Sequence, residues 1–219
     1  MQVKTSLNIE GQPVEIKAWG AVSVAPSGLF GLALTVDLGN FQENITPVLS
    51  AQLNRSDRCG ERLSVQRAAL VPAAPSAALT VYVHYERFGC VKALGKEIVK
   101  RLAGGDGVVD LNLTPSVGEN GIALAAQVRK IDADGSLGEL LRSGSLGDSI
   151  RDKIAASIES AVRKSANLKS TLPPEIENVA AIQTLQFADG GAGRLWLILA
   201  GEVRIPAEQL RDLAKKQVR

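Results

Sequence analysis

The chain has 219 residues, a formal net charge of +2, 45% hydrophobic residues and only 4% aromatic ones. That length can bury a substantial core. The basic and acidic residues are interleaved, so charge alone makes no case for nucleic acid or an anionic membrane. No stretch approaches the roughly eighteen consecutive apolar residues that a membrane-spanning helix needs.

Strand signals dominate the first part. Met1 leads through Gln2 into VKTSLNI, which reads as a strand, with no signal peptide visible. Val14, Ile16, Ala18, Val22 and Val24 alternate with Glu15, Lys17, Trp19 and Ser23, giving one apolar face. Pro26, Ser27 and Gly28 make a turn, and Phe30, Leu32, Leu34, Val36 and Leu38 alternate in a second strand. A helical segment over about 41–53 follows, interrupted by Pro47. A second strand pair is expected at about 62–71 and 79–90, with its turn between. Val91, Leu94, Ile98 and Leu102 then recur at helical spacing, which predicts a helix over 91–102. Gly104, Gly105 and Gly107 predict a break in the chain.

The second half repeats this order. Val109, Leu111 and Leu113 alternate, then Ile122, Leu124, Ala126 and Val128, followed by a short helix at 137–141. A long amphipathic helix is expected from Ser145 to Leu168, with Leu146, Ile150, Ile154, Ile158 and Val162 every fourth residue on one side. Ser145 is its N-cap, and Pro173 and Pro174 stop it. Strands at about 179–187 and 195–205 come next, and a last amphipathic helix starts at Pro206. The expectation is a single domain, 1–219, with similarly ordered halves at about 1–104 and 105–219. Its class is α+β, a long, strongly twisted antiparallel sheet rolled around the long helix.

Chemistry is sparse. The one histidine, His84, lies on a strand and reads as a sheet-surface residue rather than a catalytic base. Asp132 and Asp134 begin like a calcium loop, but the required glycine and glutamate are misplaced, so no metal site is expected. Neither Ser136 nor Ser145 fits a nucleophile elbow, and no phosphate-binding glycine motif occurs. Cys59 and Cys90 flank the second strand pair almost symmetrically about its turn, which places them opposite each other and predicts a disulfide. A disulfide implies an oxidising compartment, periplasmic or secreted, with a leader removed upstream.

The order of the last part is SIRDKIAASIESAVRKSANL, then LPPEIENV, then AAIQTLQFADGGAGRLWLILAGEVRI. It resembles the tubular lipid-binding (TULIP) superfamily, which includes the bactericidal/permeability-increasing and cholesteryl-ester-transfer proteins and bacterial periplasmic relatives. The resemblance implies a twisted sheet around a long helix with lipid chains in the channel. It makes Ile150, Ile154, Ile158, Val162, Leu195, Leu197 and Leu199 the expected lipid-facing residues. The function this implies is non-catalytic lipid binding or carriage without a cofactor. The implied partners are a lipid or another elongated apolar ligand and, transiently, a membrane. The alternative is a solidly packed structural or protein-interaction module of the cell envelope.

Overall fold

The computed structural model describes residues 2–9, 11–24, 30–54, 59–93, 96–118, 121–143, 148–149, 151–153, 155–156, 158–160 and 180–203. The strands are β1 (Gln2–Ile9), β2 (Gln12–Val24), β3 (Phe30–Asp37), β4 (Gly60–Ala73), β5 (Ser76–Ala93), β6 (Lys96–Gly118), β7 (Gly121–Ala133), β8 (Ala180–Asp189) and β9 (Leu195–Val203). Between β3 and β4 lie α1 (Gly39–Glu43) and α2 (Ile45–Leu53), and α3 (Gly135–Leu141) follows β7. The described residues between 148 and 160 are helical. The antiparallel α+β plan expected from alternation is present, and its strands divide between two sheets. One runs β1-β2-β3-β9-β8 and the other is the meander β4-β5-β6-β7.

Pairing of β3 with β9 joins distant parts of the chain, setting Leu34 opposite Leu199 and Val36 opposite Leu197. The meander contains the longest strands, with 18 residues in β5 and 23 in β6. Its ladders carry irregularities at Val65/Arg67, Arg87/Phe88 and Asp110/Leu111. Each such bulge bends its strand and increases the local twist.

The helix α2 sits between the sheets because it is apolar on two sides. Val48 joins Ile9, Val14 and Ile16 in a small cluster on the first sheet. Ile45, Leu49 and Leu53 join the main core. Pro47 falls in the first turn of α2, where its missing N–H has no intrahelical partner to lose. The polar side of α2 is spent on β4. Thr46 accepts from Ala68 N at 2.9 Å, and Asn54 accepts from Val65 N at 2.8 Å, on either side of the β4 bulge. Gln42 couples the two sheets. Its Nε2 donates to Leu70 O at 2.7 Å and to Gly193 O at 2.8 Å, while its Oε1 accepts from Leu195 N at 3.1 Å.

Two sequence expectations are corrected here. Residues 91–102 are not a helix: β5 continues to Ala93, and β6 starts at Lys96 and runs back beside it. Val91 stands opposite Ile98, and Cys90 opposite Val99. Apolar residues three or four apart fit a short helix and a folded-back hairpin equally, and β-branched Val91, Ile98 and Val99 favour the hairpin. The glycines at 104, 105 and 107 do not break the chain either, because β6 passes through them. Gly105 is needed for closeness: a Cβ there would lie 2.7 Å from Asp134 O and 3.1 Å from Leu137 Cβ, where α3 packs on the strand. The expected helix after Pro206 lies outside the described residues, as do the ends of the long helix.

Candidate functional site

The inner face of the meander is built by strict alternation. Ala77, Leu79, Val81, Val83 and Tyr85 of β5 and Val109, Leu111 and Leu113 of β6 are all buried. Leu63, Val65, Ala68 and Leu70 add β4. Ile158 of the long helix enters the same cluster, together with Phe187 of β8 and Leu195 and Leu197 of β9. Three of the expected lipid-facing residues, Ile158, Leu195 and Leu197, are therefore brought together. Leu199 is buried but belongs to neither cluster. The side chains of Ile150, Ile154 and Val162 lie outside the described residues.

This part of the interior is closed. Leu79, Val81, Val109, Ile158 and Leu195 are fully buried. The closure stops before the strands do. On β5 it ends at Tyr85, yet the strand runs on to Ala93. At about 3.3 Å per residue this adds an overhang of roughly 25 Å. β4 begins opposite Phe88, and β7 pairs with β6 only from Gly107 onward. Beyond those points the described ribbon consists of β5 and β6 alone.

Along that ribbon the inner face carries the aliphatic side chains of Leu102, Val91 and Ile98, with Lys100 between them. The bulge at Arg87/Phe88 accommodates Leu102, whose methyl would lie 3.0 Å from a Cβ on Gly89. Leu102 is 59% exposed, Val91 66% and Ile98 56%. Lys153 Nζ meets Glu61 Oε1 at 3.2 Å, which sets the long helix beside the start of β4, where the sealed core ends. Tyr85 marks the same boundary. Its hydroxyl is buried, with no partner in hydrogen-bond geometry among the described residues, and burial, with the Glu61 carboxylate nearby, pushes its pKa up to about 12.

The predicted disulfide is present: Cys59 and Cys90 are bonded with their Cα atoms 5.8 Å apart. The β4 bulge shifts the register by one residue. Cys59 therefore follows on opposite Gly89 and bonds diagonally to Cys90. A disulfide of this kind persists outside reducing compartments.

Polar groups collect on the outer face. His84 Nδ1 lies 2.7 Å from Asp106 Oδ1, and Gln66 donates to the same oxygen at 2.9 Å. The bond with His84 holds the Asp106 carboxyl below its ordinary value. Arg62 stacks over Phe88 and Arg67 over Tyr82. A half-open cleft of about 430 Å³ lies where β7 gives way to α3 and includes Asp106, Asp132, Arg142 and Arg151. It mixes carboxylates and guanidinium groups with Val108, Ile131 and Leu141, a more polar lining than the mostly apolar one of lipid-chain sites. Asp132 pairs with Lys130, and Asp134 occupies the N-cap position of α3 without a side-chain capping bond. Among the described residues no three His, Cys, Asp or Glu side chains converge as metal ligands. No helix among them is long and apolar enough to cross a membrane.

The chain matches no protein-family model and no curated protein. Among solved structures it is similar to the crystal structure of a lipopolysaccharide binding protein, at 10% sequence identity and a TM-score of 0.43. The match covers 92% of this chain and 46% of that one, so the chain spans less than half of that structure's length.

Sequence reasoning missed the overhang. It grouped Val91, Ile98 and Leu102 correctly but on a helix. The usable signal was Cys90, whose pairing with Cys59 requires the strand to continue.

Proposed function

We propose that this chain is a single lipid-binding unit, a non-catalytic carrier that holds an acyl chain or a similar elongated apolar ligand, in the periplasm or secreted. The observation that supports this reading is the row of exposed aliphatic side chains, Leu102, Val91 and Ile98, that carries the inner face of β5 and β6 past the closed core, next to the long helix. An apolar chain laid there extends the core outward. It covers Leu102 and gains about 0.8 kcal/mol for each CH₂ withdrawn from water. Ile150, Ile154 and Val162 share the helical face of Ile158 by spacing and are the proposed contacts. Leu195 and Leu197 pack the closed part of the interior, and Leu199 is buried beside it on β9.

A solidly packed envelope interaction module is the second reading, favoured by the complete closure around Leu79, Val109 and Ile158. The two readings separate on cargo. Organic extraction of the purified protein, followed by mass spectrometry, recovers a lipid if the first reading holds. Cross-linking to a protein partner, with empty extracts, supports the second.

A further inference from the structure

We propose that the tip of the β5–β6 hairpin docks the protein onto an anionic lipid bilayer. Val91 and Ile98 are cross-strand partners on one face, each more than half exposed, and lie beyond Leu102 and the disulfide. Soluble proteins rarely display aligned aliphatic side chains at the end of a projecting ribbon without something to bury them in.

The charge around the pair selects the partner. Lys92, Lys96, Lys100 and Arg101 fall in this ribbon against Glu97 alone, in a chain whose total net charge is only +2. Lys100 stands opposite Gly89, on the same face as the pair. Arg101 is engaged by Glu86, whereas no ion pair involves Lys92 or Lys100 among the described residues. Basic residues spread over two strands form no run in the sequence, and the hairpin gathers them. Aliphatic tips with basic stems around them match a bilayer surface, where the tips enter the acyl boundary and the cations meet lipid phosphates. The disulfide ties this two-stranded ribbon to β4 at its base, which suits an element that must project while loaded.

The test is vesicle flotation of the full chain with phosphatidylcholine alone and with phosphatidylcholine and phosphatidylglycerol in equal parts. The protein floats with the mixed vesicles and not with the neutral ones, and added salt weakens the association. The double variant Val91→Asn with Ile98→Asn keeps every charge and loses about tenfold or more of the affinity. Lys92→Gln with Lys100→Gln weakens it too. Both side-chain pairs are exposed, so unfolding midpoints stay unchanged and show that the variants are folded. Equal binding to both vesicle types overturns the proposal, as does full binding by the Asn variant. It also fails if the wild type ignores vesicles and self-associates through this pair. Cargo recovered by extraction is a separate readout: a variant that loses flotation but retains lipid leaves carriage intact.

Discussion

Arg194 Nε donates to Asp37 Oδ1 at 2.8 Å, closing the end of β9 onto the end of β3. The same oxygen accepts from Gly39 N at 2.9 Å, at the start of α1. Burial alone pushes the Asp37 carboxyl up. Arg194 and the Gly39 N–H more than offset this, leaving it below the ordinary 3.8. A carboxyl lowered on folding stabilises the native state fully above its unfolded value, and that contribution disappears as pH falls through the folded value.

Asp37→Ala should therefore cost about 1–3 kcal/mol at neutral pH. Arg194→Ala should cost less, about 1 kcal/mol, because its guanidinium is half in solvent. The stability gap between wild type and Asp37→Ala should be constant above about pH 4 and shrink below it. Urea midpoints measured across that range check both the size and the sign.

Reducing the disulfide, or replacing both cysteines with Ser, reopens a segment with a sequence separation of 31 residues. The chain-entropy model puts the loss at about 3–4 kcal/mol. The loss should fall on the β4–β5 end of the meander, so amides near Cys90 should exchange faster while those near Leu111 change least. Hydrogen exchange with and without reductant reads this directly.

Ile158 is the described anchor of the long helix in the main core. Ile158→Ala should destabilise by about 2–5 kcal/mol, the range for a sealed aliphatic truncated to a methyl. A thermal midpoint equal to that of the wild type would show that the helix is not held by this side chain.

Tyr85→Phe removes a buried hydroxyl with no hydrogen-bond partner among the described residues and should be neutral or stabilise by about 1 kcal/mol. The wild type also carries an alkaline liability. The Tyr85 pKa rises from 10.0 to about 12 on folding, so its contribution is complete below pH 10 and is lost between those values. The Phe variant should lose less stability over that interval, as measured by denaturant titration.

Elements whose period was unambiguous were legible in the sequence. The alternation of Leu79, Val81, Val83 and Tyr85 placed β5 and its buried face correctly. The symmetry of Cys59 and Cys90 about the turn was enough to find their bond, although the β4 bulge makes that bond diagonal. Stretches that satisfied two periods were not legible. Val91, Ile98 and Leu102 read as one helical face because a bulge and a reversal reproduce that spacing by folding back. Gly105 read as a break because a glycine required by the close approach of α3 looks identical to one required by a turn. The burial of Ile158 in the main core was legible from its four-residue spacing. The division into two sheets was not, since it depends on β3 pairing with β9 across most of the chain.

Native mass spectrometry of the unreduced protein, purified without detergent, tests the carrier reading most directly. A lipid-sized adduct should accompany the folded charge states, disappear on organic extraction and return when fatty acid is added back. A single bare mass before and after fatty-acid addition, from a protein with its disulfide intact, would contradict the account.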